Sequence, residues 1–379
     1  MKKWPKVSII ILNWNGWQDT IECLESLQNI TYPNYQIIVV DNHSTNDSVK
    51  KIKEWASSKI EVKSNYFTTS THKSINIREF HRNELEEIDI NSIERKLNKI
   101  STSQRLVLIK NENNFGFSKG CNVGIKYALN RNYDYILLVN NDMVVDSNFL
   151  EPAVYLAEQD KNIGIIGGKI YYYNDNKRIW SACGYINWIK GSGIHAGNSQ
   201  IDKGQFNRIR RVKLVSGALM LIKKKVLLDI GLLPEDYFFG VEEWDFSVKV
   251  SRKGLKLYYV PDFIGYHKVG KAHKTFNPKF IYNTYRNKLH FQMKYLPSFL
   301  WHIWDLVFYC YLNVYLRIRL SHILSSRYKW LEASMSNYTP NLNHVIEATR
   351  LARKDVKSGK PISNEILKRI EKYFFSHEN

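Results

Sequence analysis

Short apolar runs separated by polar turns organise the first half of the chain. Residues 7–12 are apolar except for Ser8, the pattern of a strand buried on both faces of a parallel sheet. Residues 13–16 form a turn, after which Asp19 or Thr20 can cap a helix that places Ile21, Leu24 and Leu27 on one face. Tyr32-Pro33-Asn34 breaks the chain before a second buried strand at 37–40, so this segment predicts a βαβ unit. Residues 106–109 and 135–139 read as further buried strands, with a helix over 118–129 between them. Residues 57–104 are polar and lack a clean period. They read as an insertion on the rim of the domain, helical near 88–100. Beyond these, 213–222 and 258–260 read as strands and 246–252 as a helix. After Pro297 the composition changes. Residues 299–324 are rich in aromatic and aliphatic side chains, and Lys- and Arg-rich helical sequence follows.

Composition adds two constraints. With 44% hydrophobic and 24% charged residues in 379, the chain is suited to a sizeable core and not to global disorder. A net charge of +19 fits nucleic acid, an anionic membrane surface, a phosphorylated substrate, or simply many solvated lysines. Cys23, Cys121, Cys183 and Cys310 lie far apart with no CxxC spacing. That argues against a zinc cluster or a disulfide scaffold and for a reducing, cytoplasmic setting. The basic start followed by a short β-branched run reads as a first strand, not a signal peptide.

Ligands of open α/β sheets bind at the carboxyl ends of the strands. That rule singles out residues 13–16, Asp41 and Asn140-Asn141-Asp142. Asp41 can accept hydrogen bonds from a base N–H or a ribose hydroxyl, or cap a turn through 42–47. Asp142, beside two amides, suits Mg²⁺ or Mn²⁺ held against a diphosphate; a plain polar turn is the alternative. Asp146 reads as a helix cap. Residues 113–120 form a glycine-containing entry to a helix whose N–H groups can face a phosphate or a sugar, although neither the Walker nor the GxGxxG spacing is present. Glu242-Glu243-Trp244-Asp245 packs three carboxylates beside aromatic residues. Burial and like charge raise a carboxyl pKa, as a general base requires, and an acidic first helical turn has the same composition. His267 can complete a metal shell of oxygens or serve as a structural hydrogen-bonding residue.

In order and placement these segments resemble the family 2 glycosyltransferases, most closely the rhamnosyltransferase-like branch. The resemblance rests on Val7-Ser8-Ile9-Ile10-Ile11-Leu12-Asn13-Trp14-Asn15-Gly16, on Ile37-Ile38-Val39-Val40-Asp41-Asn42-His43-Ser44-Thr45, and on Asn114-Phe115-Gly116-Phe117 with Gly120, Asn122 and Gly124. It continues through Leu137-Leu138-Val139-Asn140-Asn141-Asp142, Ser216-Gly217-Ala218, Ile230-Gly231, Phe238-Phe239, Glu242-Glu243-Trp244-Asp245, Tyr259-Val260-Pro261, His267 and Tyr285-Arg286-Asn287. It implies an α/β GT-A fold with a Rossmann-like mixed sheet, a catalytic domain over 1–296 and a helical extension over 297–379. It also implies an inverting single displacement assisted by Mg²⁺ or Mn²⁺. On this reading Asp41 contacts the base, and Asn13, Asn15, Gly16, Asn114, Gly116, Asn122 and Asn141 line the donor site. The family's DxD motif matches 140–142, where only Asp142 keeps a carboxylate. His267 matches a metal-ligand histidine. Glu243 matches the general base, with Asp245 as the alternative. The donor is expected to be dTDP-rhamnose or a UDP-sugar, and the acceptor a saccharide or a lipid-linked saccharide.

Three rival readings fit less well. A nucleotidyltransferase needs a basic residue in the loop after the first strand, and 13–17 has none. A nucleic-acid-binding protein would show a module spacing, and none is present. A non-catalytic carbohydrate-binding scaffold has no use for Asp142, Glu243 and His267 together. Residues 299–324 approach the length of a membrane span, but His302, Asp305, Asn313, Arg317 and Arg319 interrupt them. They read as a surface-lying amphipathic helix, with Trp301 and Trp304 at the interface and Arg317, Arg319 and Arg327 reaching anionic headgroups on the inner face of the cell membrane. A core helix or a homodimer contact are the other placements.

Overall fold

The computed structural model describes residues 4–68, 74–86, 97, 99–131, 133–269, 278–325 and 342–375. Its strands are β1 (Val7–Asn13), β2 (Tyr35–Asp41), β3 (Asn76–His81), β4 (Arg105–Lys110), β5 (Tyr135–Val139), β6 (Met143–Val145), β7 (Ile163–Tyr172), β8 (Asp175–Ser181), β9 (Cys183–Asn187), β10 (Ser192–Ala196), β11 (Arg210–Val212), β12 (Leu219–Lys223) and β13 (Lys256–His267). Eleven of them form one mixed sheet in the order β11-β13-β7-β12-β5-β1-β2-β4-β3, with β6 on β13 and β8 on β7. The stretch β5-β1-β2-β4-β3 is parallel throughout. Successive residues of its inner strands enter opposite cores. Ile9, Ile11, Ile37, Val39, Leu106 and Leu108 face one side, and Ile10, Ile38, Val40, Val107 and Ile109 face the other. Continuous apolar runs follow from this, because a strand covered on both faces has no polar side to show. Helices α1 (Trp17–Gln28), α2 (Ser48–Ala56) and α4 (Leu150–Gln159) supply residues to the first core. Helices α3 (Phe117–Leu129), α5 (Lys224–Ile230) and α6 (Glu242–Arg252) supply the second.

Register carries the site. Asn13 stands opposite Asp41, and Asp41 opposite Lys110. The carboxyl ends of β1, β2 and β4 therefore lie level, and the turn 140–142 leaves β5 beside them.

Three expectations change. Residues 57–104 do more than decorate the rim, because they supply the edge strand β3, paired parallel with β4. β3 reads NIREFH and is covered only in part, so it carries polar residues and no clear apolar period. The helix expected near 88–100 falls mostly outside the described residues. Of 213–222 only the last part is strand, since Ser216-Gly217-Ala218 turns before β12 begins. Residues 258–260 belong to a much longer strand, β13, whose register against β7 shifts between Val260 and Ile264.

The chain divides into two compact units. Met1–Tyr185, Gly193–Glu235 and Glu242–Val269 form the first, and Ile186–Ser192, Asp236–Val241 and Gly270–Asn379 the second. The main division thus falls at Val269, upstream of position 297. Helix α7 (Pro278–Tyr295) shares a core with α9 (Leu342–Lys357) and α10 (Asn364–Phe375) through Ile281, Tyr282, Ala348, Ala352, Leu367 and Phe374. Between them runs α8 (Ser298–Ser325). Among the described residues no helix is long and apolar enough to cross a membrane. Trp301 and Trp304 are not interfacial anchors. Trp301 is buried, and Trp304 stacks between Trp301 and Phe308 while its indole N–H donates to the Ile189 carbonyl. Asp305 also faces inward, where Arg353 grips both of its oxygens at 2.7–2.8 Å. The side chains of Asn313, Arg317 and Arg319, and the whole of Arg327, lie outside the described residues.

Candidate active site

Polar groups at the carboxyl ends of β1 and β2 are tied into one lattice. Asn13 is buried; its amide donates to Asp41 Oδ1 at 2.7 Å and to Ser44 Oγ at 3.1 Å, and its carbonyl accepts from Thr20 Oγ1 at 2.8 Å. Asp41 is buried too and also accepts from the Ser44 hydroxyl and backbone N–H. Asp41 thus closes the turn at 41–44, and Oδ2, with one bond, keeps acceptor capacity. Asn15 adopts φ +54° and ties the first loop to the second, accepting from the N–H groups of Thr45 and Asn46. Gly16 lets Asn141 approach closely, because a Cβ there would sit 2.7 Å from its amide nitrogen and displace it. That nitrogen donates to Thr20 Oγ1 at 3.0 Å. Asn13, Asn15, Gly16, Asp41 and Asn141 thus come together at one end of the sheet.

Asn114 and Gly116 join them through a residue that sequence reasoning did not single out. Buried Asn42 donates to Asn114 Oδ1 and the Gly116 carbonyl, and accepts from Asn111 and the Phe115 N–H. It pins the 111–116 loop to the end of β2. Asn122 departs from expectation. It is buried, and its amide is committed to the Leu233 backbone on both sides and to Glu235, so it holds a loop.

Asp142 and His267 converge although 125 positions apart, because β6 and β13 pair with His267 opposite Met143. His267 Nε2 lies 3.0 Å from Asp142 Oδ1. Burial alone would raise the Asp142 carboxyl, but the contact with His267, backed by Lys268, holds it below the ordinary carboxylate range. Asp142 is therefore ionised at neutral pH. One carboxylate oxygen and one imidazole nitrogen suit a divalent cation that keeps water and phosphate oxygens in its remaining positions. Among the described residues no group of three or more His, Cys, Asp or Glu could hold a metal ion.

Behind His267 stands an aromatic stack without any sequence signal. Trp180 meets the His267 ring in a T-shaped arrangement at 4.5 Å between centroids, and stacks on His195 at 5.1 Å. His195 Nδ1 lies 3.0 Å from Ser181 Oγ. Burial, helped by His267, pushes the His195 pKa down to about 4. The unfolded imidazole titrates near 6.5. Between these values the unfolded chain holds a proton that the folded chain does not, so stability falls as pH drops from about 6.5 towards 4, by up to about 1.4 kcal/mol per pH unit. Urea unfolding across that window is expected to show a shallower slope for His195→Gln than for the wild type. Equal slopes would mean that His195 titrates freely in the fold.

The acidic run opens α6, where three carboxylates in the first turn suit the positive end of the helix. Asp245, the alternative base, is fully buried and lies 3.4 Å from Lys249. Glu243 is half-buried. A side chain at Gly217 would lie 3.6 Å from Glu243 Cβ and 3.8 Å from the Phe117 ring, and the Ala218 carbonyl next to Gly217 accepts from the Asn140 N–H. Glu243 therefore stands at the same end of the sheet as Asp142. Trp244 packs against β10, where a Cβ at Gly193 would meet its indole nitrogen at 2.5 Å.

Residues 88–287, just over half of the chain, match the model of the glycosyltransferase-like family 2, and residues 8–79 match that of glycosyl transferase family 2. The chain is 21% identical to the dTDP-rhamnosyl transferase RfbF of Shigella flexneri over 45% of its length and 55% of that protein's. It is 24% identical to the low-salt glycan biosynthesis hexosyltransferase Agl10 of Haloferax volcanii, over 38% of its own length and 46% of that protein's. The chain thus spans about half the length of the curated relatives it matches. Its fold is similar to that of GalNAc-T7, solved with UDP, GalNAc and Mn²⁺, with a TM-score of 0.53 and 14% identity over all of this chain and 58% of that one. The architecture is GT-A, and the chain belongs to the glycosyltransferase-like family 2.

Proposed function

We propose that the protein transfers a sugar from a nucleoside-diphosphate donor, dTDP-rhamnose or a UDP-sugar, to a saccharide or lipid-linked saccharide acceptor, with inversion at the anomeric carbon. The observation that carries this reading is the grouping of ionised Asp142, His267 and Glu243 at the sheet end where Asn13 and Asp41 sit. Asp41 and the amides around it receive the nucleoside. Asp142 and His267 hold Mg²⁺ or Mn²⁺, which when bound offsets the charge developing on the departing diphosphate. Glu243 takes the proton of the acceptor hydroxyl as that oxygen attacks from the face opposite the diphosphate. The dTDP-rhamnosyl activity of RfbF and the UDP and Mn²⁺ bound by GalNAc-T7 support a nucleotide-sugar donor and a divalent ion. Thermal unfolding against a panel of nucleotide sugars tests it. One donor class is expected to stabilise the protein by several degrees with Mn²⁺ and much less with EDTA. A flat response to the whole panel, with and without metal, counts against the reading.

The acceptor side of the proposal extends to the membrane. Helix α8 turns Phe299, Ile303, Leu306, Val307, Tyr311 and Val314 outward, each more than half exposed and spaced three or four apart. Together with the net charge of +19, this stripe suits the surface of an anionic bilayer. The protein is expected to float with anionic liposomes at low salt and less so at high salt. If it stays at the bottom of the gradient at low salt, the stripe serves another purpose.

A further inference from the structure

Three pairs of neighbouring residues meet behind the candidate active site: Asp19 and Thr20 in α1, Asn141 and Asp142 after β5, and His267 and Lys268 at the end of β13. Their side chains close a ring. Asn141 donates to Thr20 Oγ1 at 3.0 Å, Lys268 Nζ donates to Asp19 Oδ1 at 2.7 Å, and His267 Nε2 lies 3.0 Å from Asp142 Oδ1. The Lys268 backbone N–H also donates to the Asp142 carbonyl at 3.0 Å. Lys268 Nζ reaches Glu22 Oε2 at 2.5 Å as well, and Glu22 in turn accepts from the Tyr173 hydroxyl. The side chains of Lys268, Asp19 and Glu22 are each about nine-tenths buried.

The ring matters because of what His267 lacks. An imidazole that ligates a metal is ordinarily oriented by a hydrogen bond on its other nitrogen. His267 Nδ1 is buried and has no hydrogen-bond partner among the described residues. Trp180 limits the ring, and the ladders of β13 with β6 and β7 hold the backbone as far as His267. One residue on, where those ladders end, an ammonium is clamped between two carboxylates of α1. Helix α1 in turn begins at the donor loop, and its Thr20 bonds both Asn13 and Asn141.

We propose that Lys268 is the positioning residue of the Asp142–His267 pair, clamping the end of β13 to the first turns of α1 so that the imidazole meets the carboxylate and both keep register with the donor loop. Its consequence for cation binding rests on the reading of Asp142 and His267 as the cation-holding pair. The Lys268 ammonium is itself spent on Asp19 and Glu22.

Removing the ammonium alone would strand two buried carboxylates. The variant of choice is therefore Asp19→Asn/Glu22→Gln/Lys268→Met, which opens the ring without leaving charge behind. Lys268→Arg keeps the clamp. Histidine ring NMR of the full chain, with the His267 signal assigned by its loss in His267→Gln, reads the outcome without metal or turnover. Wild type and Lys268→Arg are expected to give one narrow His267 signal. The neutral triple variant is expected to give a split or broadened one while the other histidines stay unchanged. An unchanged His267 signal in the triple variant overturns the proposal. If that variant does not fold, Asp19→Asn decides on the same criterion. Mn²⁺ titrated in the presence of UDP adds a second reading, since it should broaden His267 in the wild type at an at least tenfold lower concentration than in the open-ring variant. Equal Mn²⁺ concentrations for the two also count against Lys268. If Mn²⁺ leaves wild-type His267 untouched, the cation reading of the pair fails, and the metal-free spectra still decide the role of Lys268.

Discussion

Glu243→Gln is expected to lower turnover by roughly 10²-fold or more and leave donor affinity nearly unchanged. Glutamine preserves the shape of the half-buried side chain, so the fold is expected to survive. What it removes is the ability to accept the acceptor's proton. An interaction made only in the transition state lowers kcat and kcat/KM together. Asp245→Asn is the informative contrast. Asp245 is fully buried beside Lys249, so its replacement is expected to act on stability and to spare the chemical step. A loss of turnover confined to a well-folded Asp245→Asn would place the base two residues further on.

Asp142→Ala is expected to abolish transfer at every Mn²⁺ or Mg²⁺ concentration. The substitution removes one of the two protein ligands proposed for the ion, and with it the partner of His267 Nε2. The carboxyl is held below its ordinary range in the fold. Its contribution to stability is therefore present above the unfolded pKa near 3.9 and is lost as pH falls through the folded value. At neutral pH the variant is expected to lose stability by about 1.5–3 kcal/mol, the range for a hydrogen bond to a charged group, which most domains survive. Full activity in Asp142→Ala, or wild-type activity indifferent to EDTA, would remove the metal from the mechanism.

The parts of this site that were legible in the sequence share one physical cause. Strands 7–13, 35–41 and 135–139 are buried on both faces, so polar residues stand out where each run ends, and Asn13, Asp41 and Asp142 lie there. The edge strand β3 was illegible for the opposite reason, because a partly covered edge tolerates charge. The resemblance names Asn122 but says nothing about its bonds to Leu233 and Glu235, which lie more than a hundred residues on. Trp180, His195 and Lys268 gave no signal because each acts through a partner distant in sequence: His195 through Ser181 and Trp180, Lys268 through Asp19 and Glu22. Trp301 and Trp304 looked interfacial because an aromatic-rich helix has the same composition whether it lies on a bilayer or against other helices. Burial of Trp301 and the Arg353 grip on Asp305 identify the covered side.

The central claim is that these residues break the bond between a sugar and a nucleoside diphosphate. The measurement that tests it most directly is release of nucleoside diphosphate from a panel of nucleotide sugars by the purified full chain, followed with Mn²⁺, with EDTA, and with Asp142→Ala. A slow, Mn²⁺-dependent hydrolysis of one donor class in the absence of acceptor, lost in EDTA and in Asp142→Ala, is the predicted result. Donor binding without any release of diphosphate from any member of the panel, even when saccharide acceptors are supplied, would contradict it and leave a carbohydrate-binding scaffold in its place.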